Sequence, residues 1–521
     1  MRAWGGVTLA VIAAGLIRLR LLNVPLDRDE GEYAYIAHLL LAGTPPYASA
    51  YSMKLPGIYG VYAGLLKLFG ETPAGVRLGL ILVTSASTVC VFLLGRRLLG
   101  AWPGVAAAAT FAALTLSPAF LGTAANAEHF AVLPGLIGLG LVLLLGAGPS
   151  ASGGALLTAG ALLGLALVVK QHAVSFVLGA VIYLLLARAR RALGLVLAGA
   201  LVPVMAVTLW LAAAGAFREF WFWTVTYASA YASIRSPADG LAVLPEILGT
   251  IVPFCFLSLV LAGVGALLTV RDRSLRPVAR FLVPFALTSS LATLIGFYFR
   301  PQYFLLLTPS LALFTAVAVR ALARRLEPRL GVAGLAIATA VLLLAVSHTL
   351  WAHRAILFRL APDAVARAIY GGNPFPEAVV VGRFLNARTG VDDRIVVIGS
   401  EPEVYFYSRR RAGTRYIYMY PLFENQPYAA SMQDELIRDV ETAAPRFVVY
   451  VNVPTSWLVS PAAPRRMLEW FDGYRQAHLE QVGLVDMLTP QLTLVYWDGD
   501  ARGRTPRSNL WLAVYRRRDA S

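Results

Sequence analysis

Eleven apolar stretches, each close to the length that crosses a bilayer, fill most of the first 350 residues, and they constrain the fold before any motif is read. They lie at about 3–22, 76–95, 104–122, 129–147, 155–170, 173–187, 193–214, 246–270, 281–299, 302–320 and 331–350. A hydrocarbon core takes about 20 mostly apolar residues per helix, and within it each backbone polar group must be satisfied by its own segment. With 58% of 521 residues hydrophobic and 14% charged, the composition lies outside the range of soluble domains. The predicted fold is therefore an all-α membrane domain of about eleven transmembrane helices at 1–355, a linker at 356–375, and a soluble α/β domain at 376–521.

A net charge of +16 raises the question of nucleic acid, but the basic residues are short Arg clusters between apolar stretches, not one basic face. Alternate loops collect Arg96 and Arg97, Arg188 to Arg191, Arg271 to Arg276, and Arg324 and Arg325, which marks that side as cytoplasmic. The expected protein is thus multi-pass in the cell (inner) membrane, with a cytoplasmic N-terminus and an extracytoplasmic, periplasmic C-terminal domain. The first stretch reads as an uncleaved helix, because charge and further spans follow it at once. Cys90 and Cys255 both fall in apolar stretches, so no disulfide framework is expected.

Two external loops, at about 25–75 and 215–245, are long enough to be functional. In the first, residues 29–41 read as an amphipathic helix with Tyr33, Ile36, Ala37 and Leu40 on one face, expected to lie flat on the membrane surface. Beyond the linker, helix is expected at 377–387, 432–442 and 465–476. Strand is expected at 394–399, 416–420, 447–451, 492–497 and 510–515, an α/β alternation. Tyr405, Tyr407, Tyr416, Tyr418 and Tyr420 suggest a sugar-stacking surface, although an aromatic strand face more commonly forms core.

The chemistry concentrates just outside the first helix. Asp27, Asp29, Glu30 and Glu32 place four carboxylates within six residues. Helix capping by Asp27 and its neighbours explains part of this cluster. A carboxylate facing a protein cavity there would instead serve as a general base. Lys54, one of only three lysines, precedes a Pro-Gly turn on the external side, where topology gives no reason for a cation. It either snorkels to the interface or meets an anion such as phosphate.

Asp29-Glu30 followed by Tyr33, Gly43, Pro46-Tyr47 and Lys54-Leu55-Pro56 resembles the first external loop of the GT-C glycosyltransferases, in the family 39 branch of protein mannosyltransferases and aminoarabinose transferases. Asn126 to His129, Arg300 to Tyr303 and the soluble tail extend the resemblance. It implies transfer of a sugar, with inversion, from a polyprenyl-phosphate donor to an extracytoplasmic lipid, glycan or protein. In that reading Asp29 is the general base and Glu30 supports it. Lys54, Lys170 and Arg300 bind the donor phosphate, and Tyr33, Tyr47, Pro56, Asn126, Glu128, His129 and Tyr303 border the substrate cavity. Lys170 could also cap its helix, and Arg300 could anchor at the interface. Some relatives carry an acidic residue before the Lys of this segment and use it to hold a metal; Met53 stands there here. No tightly bound metal or other cofactor is expected, and no nucleic-acid partner. A lipid-linked-sugar flippase and a non-catalytic scaffold are the alternatives. The first would concentrate ionisable groups at helix centres, where this sequence has almost none.

Overall fold

The computed structural model describes residues 2–146 and 151–518. A helix occupies each of the eleven apolar stretches; the last residue of the 129–147 stretch lies outside the described residues. Six helices are long and apolar enough to cross a membrane by length and composition, namely Pro73–Leu99, Ala127–Leu145, Arg190–Ala213, Pro237–Arg271, Pro301–Leu330 and Val332–Ala352. Other apolar helices, including Ala101–Leu116 and Gly153–Val169, are shorter. Helices in lipid associate mainly through close packing. Accordingly, Gly153–Val169 meets Arg190–Ala213 backbone to backbone: a Cβ on Gly160, Gly164 or Gly199 would overlap a carbonyl oxygen of the opposite helix.

The first long loop is folded, with helices at Arg28–Leu41 and Gly57–Phe69, the second of which the sequence reading did not anticipate. In Arg28–Leu41 every residue from Glu30 to Ala37 is buried, so protein covers the helix on more than the expected apolar face. The C-terminal domain covers the face that would otherwise meet water or headgroups. Tyr35 stacks on Tyr405 with ring centres 5.1 Å apart, and its hydroxyl accepts the Ala412 N–H at 2.8 Å. Gly31 lies so close to the backbone of Glu403 that any side chain at this position would collide with it.

The C-terminal domain is built on a six-stranded sheet of β1 (Arg394–Ile398), β2 (Arg411–Ala412), β3 (Phe447–Asn452), β4 (Leu479–Thr489), β5 (Leu492–Trp497) and β6 (Trp511–Arg517). The order is β2-β1-β3-β6-β4-β5, with β1 parallel to β2 and β3 and the other pairs antiparallel. Helices Phe375–Arg388, Ala429–Ala443 and Arg466–His478 accompany it. The longest strand, β4, escaped the sequence reading because Glu480, Gln481, Gly483 and Asp486 break its apolar alternation. The fold accommodates Asp486 by giving its buried carboxylate the N–H groups of Arg507 and Ser508 at 2.7 and 3.2 Å. Conversely, 416–420 forms no strand; the segment is irregular and passes into a short helix, Tyr420–Phe423. The 356–375 linker is also largely helical, through Pro362–Tyr370.

Candidate active site

The acidic cluster is organised by a capping box. Asp27 Oδ1 accepts the Glu30 N–H at 2.9 Å, and Glu30 Oε2 accepts the Asp27 N–H at 3.1 Å, starting the Arg28–Leu41 helix. Once the helix begins, neighbouring carboxylates must point to different faces. Glu30 turns into the protein, fully buried, with Arg77 at 2.7 Å and the Ala125 N–H at 2.6 Å. Asp29 and Glu32, three residues apart, share the opposite side, where Lys54 Nζ bridges them at 2.7 and 2.6 Å. Ser52 and Tyr59 donate to Glu32 as well, the latter at 2.9 Å. Glu30, expected beside Asp29, therefore does not reach the site. Its partner had a signal in the sequence, since Arg77 falls inside an apolar stretch and a charge there requires compensation.

Asp29 opens into a cavity of about 620 Å³ enclosed by the first loop, the 215–245 loop, residues 298–303 and the C-terminal domain. Of the expected residues, Asp29, Lys54, Asn126, Lys170, Arg300 and Tyr303 line it. The others stand behind the wall. Tyr33 presents its ring to Lys54 Nζ at 4.8 Å, and the Tyr47 hydroxyl donates to the Lys54 carbonyl at 2.6 Å. Pro56 precedes the Gly57–Phe69 helix, Glu128 pairs with Lys170 at 2.9 Å, and His129 is buried in Ala127–Leu145. Tyr303 lies 5.2 Å from Lys170 Nζ and stacks against His172 at 4.1 Å.

The electrostatics separate the two cavity aspartates. Burial would raise the Asp29 carboxyl, but Lys54, supported by Lys170 and Arg300, overcomes it and holds the group at about 2. Asp27 has no such cation, and burial, together with Glu30 and Asp29, pushes it up to about 7. Asp29 is thus ionised throughout the neutral range, whereas Asp27 accepts the Tyr370 hydroxyl at 2.8 Å and remains a capping group.

The sequence reading missed a stripe in the second long loop. Trp223, Tyr227, Tyr231 and Arg235 recur every four residues, the spacing of one helix face, and all four line the cavity. Tyr231 and Tyr298 stack nearly parallel at 4.5 Å, with Arg235 4.7 Å from the Tyr298 ring centre. Arg300 lies 5.7 Å from the same ring centre. Among the described residues neither arginine has a carboxylate within 4 Å, unlike Arg28, Lys54 and Lys170, which pair with Glu401, with Asp29 and Glu32, and with Glu128. Lys54, singled out by the sequence as a phosphate ligand, therefore already has two carboxylate partners. Among the described residues no group of three or more His, Cys, Asp or Glu could hold a metal ion.

Residues 55–228 match the model of the dolichyl-phosphate-mannose-protein mannosyltransferase family. No curated protein matches the chain by sequence. Among solved structures, ArnT from Cupriavidus metallidurans bound to undecaprenyl phosphate is similar at 17% identity with a TM-score of 0.61, over 96% of this chain and 99% of that one. Its apo state gives 0.60 at 17% identity over 99% and 98%. The oligosaccharyltransferase of Archaeoglobus fulgidus, solved with zinc and sulfate, gives 0.54 at 14% identity over 94% of this chain and 73% of that one. The family match covers about a third of the chain, and the shared fold extends over nearly all of it: the chain has the fold of ArnT and of the archaeal oligosaccharyltransferase.

Proposed function

We propose that the protein is an inverting glycosyltransferase that moves a sugar from a polyprenyl-phosphate donor to a hydroxyl acceptor on the outer side of the cell membrane, with Asp29 as general base. The observation that carries this reading is one cavity lined both by an ionised carboxylate and by two guanidinium groups without carboxylate partners. The similar ArnT was crystallised with undecaprenyl phosphate, which supports a lipid-linked phosphate as the ligand here.

In this mechanism the acceptor hydroxyl oxygen attacks the anomeric carbon from the face opposite the phosphate. The bond from that carbon to the phosphate oxygen breaks, and its electron pair leaves with the phosphate. Arg235 and Arg300 stabilise the charge that develops there. The hydroxyl proton passes to Asp29. A carboxylate held this low is a weak base towards a free alcohol, so proton transfer proceeds as bond formation acidifies the hydroxyl, and the carboxylate form is present at any physiological pH. Lys54 fixes the carboxylate and keeps it ionised.

The test is turnover of labelled polyprenyl-phosphate sugars by purified protein and by Asp29→Asn, with matched thermal unfolding to confirm folding. Loss of about 10²- to 10⁴-fold in transfer and in slow donor hydrolysis is expected. Equal turnover by the two proteins would remove Asp29 from the mechanism.

A further inference from the structure

The C-terminal domain does more than cover the cavity. Its irregular segment at 416–420 lines the cavity with Tyr416, Tyr418 and Tyr420, of which Tyr416 is buried and the other two are partly exposed. Their rings are 5.7 Å apart at 44°, giving two adjacent aromatic faces. The Tyr418 hydroxyl lies 3.3 Å from Asp29 Oδ1 and 3.0 Å from the Arg28 carbonyl, so this platform directly adjoins the carboxylate.

The chemistry of the wall narrows what it can hold. The cations against its rings, Arg28 on Tyr420 and Lys54 on Tyr418, each 5.5 Å from the ring centre, are already paired with Glu401 and with Asp29 and Glu32, so neither is reserved for an anionic acceptor. No strand residue lines the cavity among the described residues, so an extended peptide finds no sheet edge to join. Tyrosine faces beside the amide of Asn425 and the hydroxyl of Thr455 match a pyranose, which offers a C–H face for stacking and hydroxyls for hydrogen bonds.

We propose that Tyr418 and Tyr420 form the acceptor platform of this enzyme, taking a neutral saccharide and presenting one of its hydroxyls to Asp29. This rests on the transferase reading above and adds the acceptor class and the domain that selects it.

Two measurements on the full-length protein in nanodiscs test it. Saturation-transfer NMR with maltohexaose, cellohexaose and mannohexaose, against a Ser/Thr-containing hexapeptide, should detect binding of at least one saccharide. That binding should weaken about tenfold in Tyr420→Ala and survive in Tyr420→Trp. In turnover, Tyr420→Ala should raise the acceptor KM and depress transfer about tenfold more than it depresses donor hydrolysis. Binding of the peptide in place of the sugars, or an equal fall in transfer and hydrolysis, would overturn the proposal. Sugar binding that depends on Tyr420 without any donor cleavage would leave the platform standing and remove the transferase reading. Donor cleavage that depends on Asp29 without sugar binding would do the reverse.

Discussion

Around the first long loop Arg28, Lys54 and Lys170 each stand against a carboxylate, whereas against the second long loop Arg235 and Arg300 rest on tyrosine rings with no carboxylate within 4 Å among the described residues. The two sides differ in the electrostatic work left for a ligand. A paired cation has already recovered part of its lost hydration and holds its partner in place. An arginine on an aromatic face retains its fork of donors, which suits the oxygens of a phosphate. If the cavity takes a phosphate as proposed, charge pairing is thus a better guide to its ligands than position near Asp29.

The contrast can be broken most severely at Lys54. Lys54→Met leaves Glu32 buried without its cation and Asp29 with only Lys170 and Arg300 to oppose its burial, so a loss of about 3 kcal/mol and a clear fall in Tm are expected. The pH profile gives the sharper reading. In the proposed mechanism Asp29 works as the carboxylate, so activity should fall as pH drops through its pKa. The acid limb of kcat/KM should climb from about 2 when Lys54 is removed. An unmoved limb would show that Lys54 does not set the state of Asp29.

The unpaired side should respond in donor affinity and leave stability nearly untouched. Arg300→Ala is expected to raise the donor KM by about 10- to 100-fold, as for the loss of a charge-assisted contact. Arg235→Ala should have a smaller effect, about 3- to 10-fold, because Arg300 would remain to face the proposed phosphate. Donor kinetics with undecaprenyl-phosphate sugars measure both. If Lys54 variants alone changed donor KM and these two did not, the division of the cavity would be reversed.

The smallest effect concerns Asp27. Its folded pKa of about 7 exceeds the ordinary 3.8, so its contribution to stability is greatest below 3.8 and declines as pH rises through about 7. Asp27→Asn keeps a capping oxygen and removes that titration, so the fall in Tm between pH 5.5 and 8.5 should be shallower by about 2–4 °C. An unchanged slope would assign the wild-type pH dependence to other groups.

The residues themselves carried much of this. Apolar stretches of bilayer length prescribe helices wherever they occur, because lipid offers the backbone no partner. Asp29 and Lys54 were legible as a carboxylate and a cation out of place. The stripe from Trp223 to Arg235 was also legible, since its four-residue spacing is a local property. Orientation across several elements was not legible. Asp29 and Glu30 are adjacent and chemically alike, yet one faces the cavity and the other a buried arginine 47 positions away. The choice depends on where Pro73–Leu99 packs. Likewise, 416–420 reads as a strand by composition, and only the docking of the C-terminal domain on Arg28–Leu41 turns Tyr418 towards Asp29. The sequence alone determined the helices and the kinds of charge available, because those follow from neighbours along the chain. Tertiary structure alone decided which charges are neutralised and which face the cavity, because pairing energy depends on distances between groups tens to hundreds of residues apart.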